Sequence, residues 1–278
     1  MKTVSHDIIK KLYTKRPKWC HKGNYGKLLV IGGSKKYSGS PALASLAAIK
    51  SGVDLVTTVC PQRAADIVAG FSPDIITYPL KGDYINPSHL REVLDLAKNQ
   101  DAVVIGGGLE RNIHTLDFVL KFLEKIAIPC VIDADAIHAF RNNLGLLKSN
   151  FVLTPHTYEF SILSNTMPKN EVKNRTLIVK KLASRTGATI LLKGCIDVIS
   201  NGKKTVLNKT GSPQLSKGGT GDTLAGICGA LLSRGSKPFE AACGAAYING
   251  KAGELATKEF GESMFAMDIV NNIYKILM

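Results

Sequence analysis

The chain has 278 residues, 45% of them hydrophobic, with 26 glycines and 11 prolines. That is room for one large α/β domain or two small ones, and it excludes a disordered, collagen-like or disulfide-stapled chain. A formal charge of +14 points to anionic ligands. The lysines are dispersed, however, with no nucleic-acid-binding signature, so an enzyme of anionic substrates is a simpler reading than a nucleic-acid binder.

No N-terminal apolar run resembles a signal peptide and no apolar stretch has the length of a membrane span, so the expected location is the cytoplasm. Six scattered cysteines without a C-x-x-C read as reduced structural thiols rather than a zinc site or disulfide framework.

In chain order, short apolar runs predict strands over Lys27–Ile31, Asp54–Val59, Ile75–Tyr78, Ala102–Ile105, Cys130–Ile132, Phe151–Leu153 and Thr189–Leu192. Helical spacing predicts helices over Ala42–Ser51, Gln62–Ala69, Ser88–Lys98, Ile113–Lys125, Tyr158–Ser164 and Glu171–Arg185. Continuously apolar strands are buried on both faces, as in a parallel sheet covered by helices. The rhythm is that of a doubly wound α/β sheet. It changes after Lys193, where Asn201-Gly202 joins Ile196–Ser200 to Lys204–Asn208 as a β-hairpin. Helices over Thr223–Ser233, Phe239–Lys258 and Met267–Leu277 complete the chain. With no linker or repeat, residues 1–278 read as one domain.

Between hairpin and helix lies Lys217-Gly218-Gly219-Thr220-Gly221-Asp222. A glycine turn that opens a helix presents unpartnered N–H groups and the positive end of the helix dipole, which together hold a phosphate or oxyanion. Asp222 is out of place beside an anion, and suits a general base facing a hydroxyl. The plainer alternative is an Asp that caps the helix.

Ligands of such sheets bind beyond the carboxyl ends of the strands. Those ends carry Gly32-Gly33-Ser34, Gly106-Gly107-Gly108-Leu109, Asp133-Ala134-Asp135, Thr154-Pro155-His156 with Glu159, and Lys193-Gly194. Five such ends on one rim predict a site. Individually, each residue has an ordinary alternative: His156 as a turn or cap residue, Asp133 and Asp135 as caps, Lys193 as a solvated charge, Glu159 as support for a helix start. Neither a P-loop nor a G-x-G-x-x-G fingerprint occurs, so phosphates fall to the Gly218–Asp222 turn.

In order and spacing, these motifs resemble the ADP/ATP-dependent NAD(P)H-hydrate dehydratases of the ribokinase-like superfamily. The likeness runs from His21-Lys22-Gly23-Asn24-Tyr25-Gly26 through Tyr37-Ser38-Gly39 and Ile132-Asp133-Ala134-Asp135 to Thr210-Gly211-Ser212-Pro213 and Gly219-Thr220-Gly221-Asp222. It implies a ribokinase-like fold and the repair of a damaged cofactor. A hydroxyl on the S epimer of NADH or NADPH hydrate is phosphorylated from ADP or ATP with Mg2+, and loss of phosphate restores the coenzyme.

Carried over by position, Asp222 is the base and Gly219, Thr220 and Gly221 form the anion hole. Lys193, Gly194, Cys195, Ile196, Asp197 and Gly221 cradle the nucleotide, and Ser40, Gly108, His156 and Asp222 contact the hydrate. The resemblance also implies a homo-oligomer, a tetramer in particular, and an epimerase as a separate protein, since no epimerase domain is expected ahead of the first strand. A ribokinase-like kinase of a vitamin-precursor hydroxyl is the alternative. The chain departs from the family pattern at Ser40 (usually Ala), Gly107 (Pro), Glu110 (Gly), Tyr158 (Gly) and Ser212 (Asn).

Overall fold

A computed structural model describes residues 1–278. Nine strands form one sheet: β1 (Lys27–Ile31), β2 (Leu55–Pro61), β3 (Ile75–Leu80), β4 (Ala102–Ile105), β5 (Cys130–Ile132), β6 (Phe151–Leu153), β7 (Thr189–Leu192), β8 (Asp197–Ser200) and β9 (Thr205–Asn208). Their order is β3-β2-β1-β4-β5-β6-β7-β8-β9. Pairing is parallel as far as β7, and β8 and β9 add an antiparallel hairpin at one edge. Each apolar strand lies in this sheet as its residues require. Leu28 and Val30 point into one core while Leu29 and Ile31 point into the other, and the same alternation runs through β4 to β7.

One face is covered by α1 (Asp7–Leu12), α2 (Gly39–Lys50), α8 (Thr220–Ser233), α9 (Pro238–Phe260) and α10 (Ala266–Leu277). The other is covered by α4 (Leu90–Ala97), α5 (Ile113–Lys125), α6 (Thr157–Ser164) and α7 (Val172–Thr186), while α3 (Gln62–Ala69) packs with a smaller cluster beside β2. No helix is long and apolar enough to cross a membrane.

Sequence pattern placed every strand to within two residues at either end. It missed α1 and the 3-10 turns over Ala134–Phe140, which are too short to establish a 3.6-residue period. It also started α2 three residues late and α8 three residues late. In both places Gly, Ser or Thr occupies the first turn, where apolar periodicity is silent.

The strand order reverses between β1 and β4, because the chain runs outward from β1 through β2 to β3 and then returns to β4. Such a switch point opens a crevice at the carboxyl ends of the two central strands. Here the turns after β1 and β4 meet backbone to backbone, the Gly33 N–H donating to the Gly107 carbonyl at 2.8 Å.

Helices α2 and α8 line this crevice and touch through Gly226, where an added Cβ would overlap the Ala44 carbonyl. Gly226→Ala is therefore expected to cost roughly 3 kcal/mol, the upper end of overpacking costs, because the obstacle is backbone. Urea unfolding checks this, and a loss under about 1 kcal/mol would contradict so close an approach.

Candidate active site

The turn that opens α8 is held by its own side chains. Gly219 adopts φ +91°, a left-handed conformation that glycine takes without steric cost. The Thr220 hydroxyl donates to the carbonyls of Leu215 (2.7 Å) and Lys217 (3.0 Å). The Lys217 ammonium in turn donates to the carbonyls of Glu262 and Met264. Thr223 makes the first helical bond, to the Gly219 carbonyl. The amides before it have no partner within the helix and are available to an anion.

Asp222 is the third residue of α8, and its side chain caps nothing. The capping alternative is thereby set aside. Its carboxylate faces the β4 turn instead. A Cβ on Gly107 would lie 2.7 Å from Asp222 Oδ1 and 3.0 Å from Ser40 Cβ, so Asp222 and Ser40 meet across that glycine. Asp222, Asp133, Ser40 and Gly107 share a cavity of about 10 Å3, enough for one water at most. Burial pushes the Asp222 carboxyl up to about 7, and Asp133 adds to the rise, whereas the Ser40 hydroxyl and Lys193 oppose it. That value suits a general base at neutral pH.

Lys193, at the end of β7, reaches inward rather than into solvent. Its ammonium lies 3.0 Å from Asp133 Oδ1 and 3.9 Å from Glu159 Oε2, and a Cβ on Gly221 would lie 3.3 Å from it. Burial opposes its charge, but Asp133, Glu159 and Asp222 outweigh burial and hold its pKa above the ordinary value. Asp133 stands at the start of the 3-10 turns without capping them. Its Oδ1 accepts from Thr154 at 2.7 Å as well as from Lys193. Burial raises Glu159 to about 7, against the pull of Lys193.

His156 does cap a helix. Its Nδ1 accepts from the amides of Tyr158 (3.1 Å) and Glu159 (3.3 Å) at the start of α6, and the Glu159 carboxylate accepts from the His156 N–H at 2.8 Å. With Nε2 3.3 Å from Glu159 Oε1, both ring nitrogens are engaged by protein. Burial, then Lys193, lowers its pKa, so the ring is neutral and offers a face rather than a proton.

The β7–β8 turn holds the remaining expected residues. Asp197 Oδ1 accepts from the Gly194 amide at 3.0 Å and Oδ2 from Asn208 at 3.0 Å, with burial raising the carboxyl to about 6. Cys195 is exposed at the tip and Ile196 half-buried. Gly108 lies against Tyr37 and Ser40.

Of the expected residues, Ser40 and Asp222 line one small cavity with Asp133, Lys193 and His156 meet the buried acids Asp133 and Glu159, and Gly194 meets Asp197. Asp133, expected on the rim as a cap or as a carboxylate facing magnesium or phosphate, is the partner that orients Lys193, and Thr154 in turn donates to Asp133. An Asp directly after an apolar strand is the signal that marked Asp133. No three His, Cys, Asp or Glu side chains converge to hold a metal by themselves. Mg2+ on phosphates needs only one or two carboxylates, and the oxygen donors Asp133 and Glu159 fit that requirement.

A parallel sheet with an antiparallel hairpin edge, and a glycine turn with an acidic residue at the switch point, make up a ribokinase-like fold with a candidate anion site. The sequence profile of NAD(P)H-hydrate dehydratase matches residues 28–275, and the chain belongs to that family. It is 38% identical to an ADP-dependent (S)-NAD(P)H-hydrate dehydratase of Cenarchaeum symbiosum, over 96% of this chain and 93% of that protein. It is 43% identical to a bifunctional NAD(P)H-hydrate repair enzyme of Hyperthermus butylicus, over 95% of this chain but 51% of that protein. The chain thus spans about half the length of several curated relatives. The ADP/ATP-dependent NAD(P)H-hydrate dehydratase of Bacillus subtilis, co-crystallised with ATP and Mg2+, superposes with a TM-score of 0.84 at 26% identity, covering 100% of this chain and 99% of that one.

The buried acids have a cost in stability. Asp222 binds its proton more tightly folded than unfolded, so its contribution falls as pH rises from about 4 through about 7. Asp222→Asn is expected to melt several degrees above the parent at pH 8, and the difference to close towards pH 4. Differential scanning calorimetry at both pH values checks this, and equal melting temperatures at pH 8 would contradict a buried, charged Asp222.

Proposed function

We propose that the chain dehydrates (S)-NAD(P)H hydrate at the expense of ADP, restoring NADH or NADPH. The observation that carries this reading is the Asp222 carboxylate, raised to about 7, beside unpartnered amides of the same helix turn.

The hydrate's ring hydroxyl lies against Asp222 and Ser40, with the face of His156 and the Gly108 turn bounding it. Asp222 takes the hydroxyl proton as the oxygen bonds to the terminal phosphorus of ADP, and AMP leaves. The amides of Gly219, Thr220 and Gly221 hold the transferred phosphoryl oxygens. Each such donor contributes about 3 kcal/mol to the transition state. Phosphate then departs with the electrons of the C–O bond, the neighbouring ring carbon loses a proton, and the double bond returns.

The nucleotide rests on the Lys193–Asp197 turn, with Lys193 near its phosphates and the backbone of Gly194 and Cys195 and the side chain of Ile196 beside its base. Asp133 and Glu159 would help to hold Mg2+ on those phosphates, and the ion would neutralise their charge. The R epimer is left to an epimerase.

With Asp222 as base, kcat/KM rises with pH through about 7 and levels above it. Asp222→Asn is expected to lower kcat by about 10²–10⁴-fold while ADP binding persists. The assay is absorbance at 340 nm on mixing protein, Mg2+, (S)-NADH hydrate and ADP, with ATP in parallel. A flat trace from folded protein with both nucleotides, or a stable phosphomonoester in place of NADH and phosphate, overturns the reading.

A further inference from the structure

Two residues at the outer rim of the crevice have no part in the chemistry above: Tyr158, where the chain departs from the family pattern, and Arg111, which follows the departure at Glu110. Tyr158 follows the His156 cap and is 57% exposed, its ring 6.4 Å from the imidazole and inclined by only 24°. The imidazole is fixed by two amides and by Glu159, so Tyr158 extends a rigid flat face outward from it.

Arg111 lies on the adjoining β4 turn, close enough for its charge to act on both Tyr158 and His156. Its Nε donates to Asp135 Oδ1 at 2.9 Å, and the other oxygen, Oδ2, accepts from the Glu110 amide at 3.0 Å. Glu110 has φ +62°, a left-handed conformation that costs a non-glycine residue of order 1 kcal/mol. The strained turn is thus clamped by the same carboxylate that orients Arg111. The two terminal nitrogens of the guanidinium make no hydrogen bond within the protein, and the side chain is 59% exposed.

The interior of the crevice is dominated by Asp133, Glu159 and Asp222, and the half-buried ammonium of Lys193 is already shared among them. A dinucleotide brings a pyrophosphate and two ring systems to this rim. An open guanidinium fork matches phosphate oxygens, and an aromatic face beside it matches a planar base.

We propose that Arg111 and Tyr158 form a subsite for the dinucleotide part of the substrate, Arg111 pairing with the pyrophosphate and Tyr158 stacking on a ring. This rests on the dehydratase reading for the identity of the substrate. Both residues touch parts of the molecule remote from the reacting hydroxyl. They therefore govern binding rather than the chemical step.

The test compares Arg111→Ala, Tyr158→Ala and Tyr158→Phe with the parent, using (S)-NADH hydrate and the hydrate of reduced nicotinamide riboside, which lacks all phosphates. For the dinucleotide, Arg111→Ala and Tyr158→Ala are expected to raise KM at least fivefold with kcat within twofold, and Tyr158→Phe to restore the parent value. For the riboside hydrate, Arg111→Ala is expected to leave KM unchanged. Equal losses on both substrates would make Arg111 a prop of the β4 turn and overturn the proposal, as would unchanged KM in both alanine variants.

Titration of NADH, the product, by its own fluorescence reports on the subsite without turnover. Failure of the dehydratase reading appears as no turnover by the parent. Failure of the subsite appears as parental NADH affinity in the alanine variants.

Discussion

The candidate crevice depends on one half-buried cation shared by several anions. Lys193 faces Asp133 at 3.0 Å and Glu159 at 3.9 Å, with Asp222 also within reach of its charge. A single ammonium neutralises only one carboxylate fully, so the remaining charge is relieved by protonation. Burial is the main reason that Glu159 and Asp222 both stand at about 7 rather than near 4, and the nearby Asp133 adds to the rise that Lys193 opposes. Their geometry is supplied by the sheet, since β5, β6 and β7 are adjacent and each delivers one member from its carboxyl end: Asp133, the Thr154–Glu159 segment, and Lys193.

The same crowding unites function with marginal stability. A carboxylate kept dry and beside other acids is costly to hold, and the same burial raises its pKa towards the value a base needs at neutral pH. The cost is borne by a rigid frame. Gly226 brings α8 against α2, Thr220 and Lys217 tie the glycine turn to neighbouring carbonyls, and the β1 and β4 turns are joined through Gly33 and Gly107. An anion entering such a site meets donors already in place, and little reorganisation accompanies charge transfer.

His156 and Lys193 illustrate how an ordinary alternative and a functional one coexist. His156 is a helix cap, as its position after Pro155 allowed, yet capping is what fixes its ring as a wall of the crevice. Lys193 had the alternative of a solvated strand end, and the sheet rejects it by placing two acids within 4 Å. Chemistry of this kind needs residues whose freedom has been removed by local structure.

Apolar alternation, turn residues and the Gly219–Asp222 motif determined much by themselves. They specify a parallel sheet, a hairpin edge, a glycine turn opening a helix and the rim on which the candidate site residues stand, because strand burial and turn chemistry are local properties of the chain. The start of α8 at Thr220 escaped that reading, since polar first turns carry no periodic signal. Only the tertiary structure decided that Asp222 caps nothing, that Thr154 holds Asp133 and Asp133 orients Lys193, and that the charge of Arg111 acts on Tyr158. Those pairings join residues from 21 to 60 positions apart in the chain. Electrostatics and hydrogen bonding across a crevice are set by strand order, which no local pattern encodes.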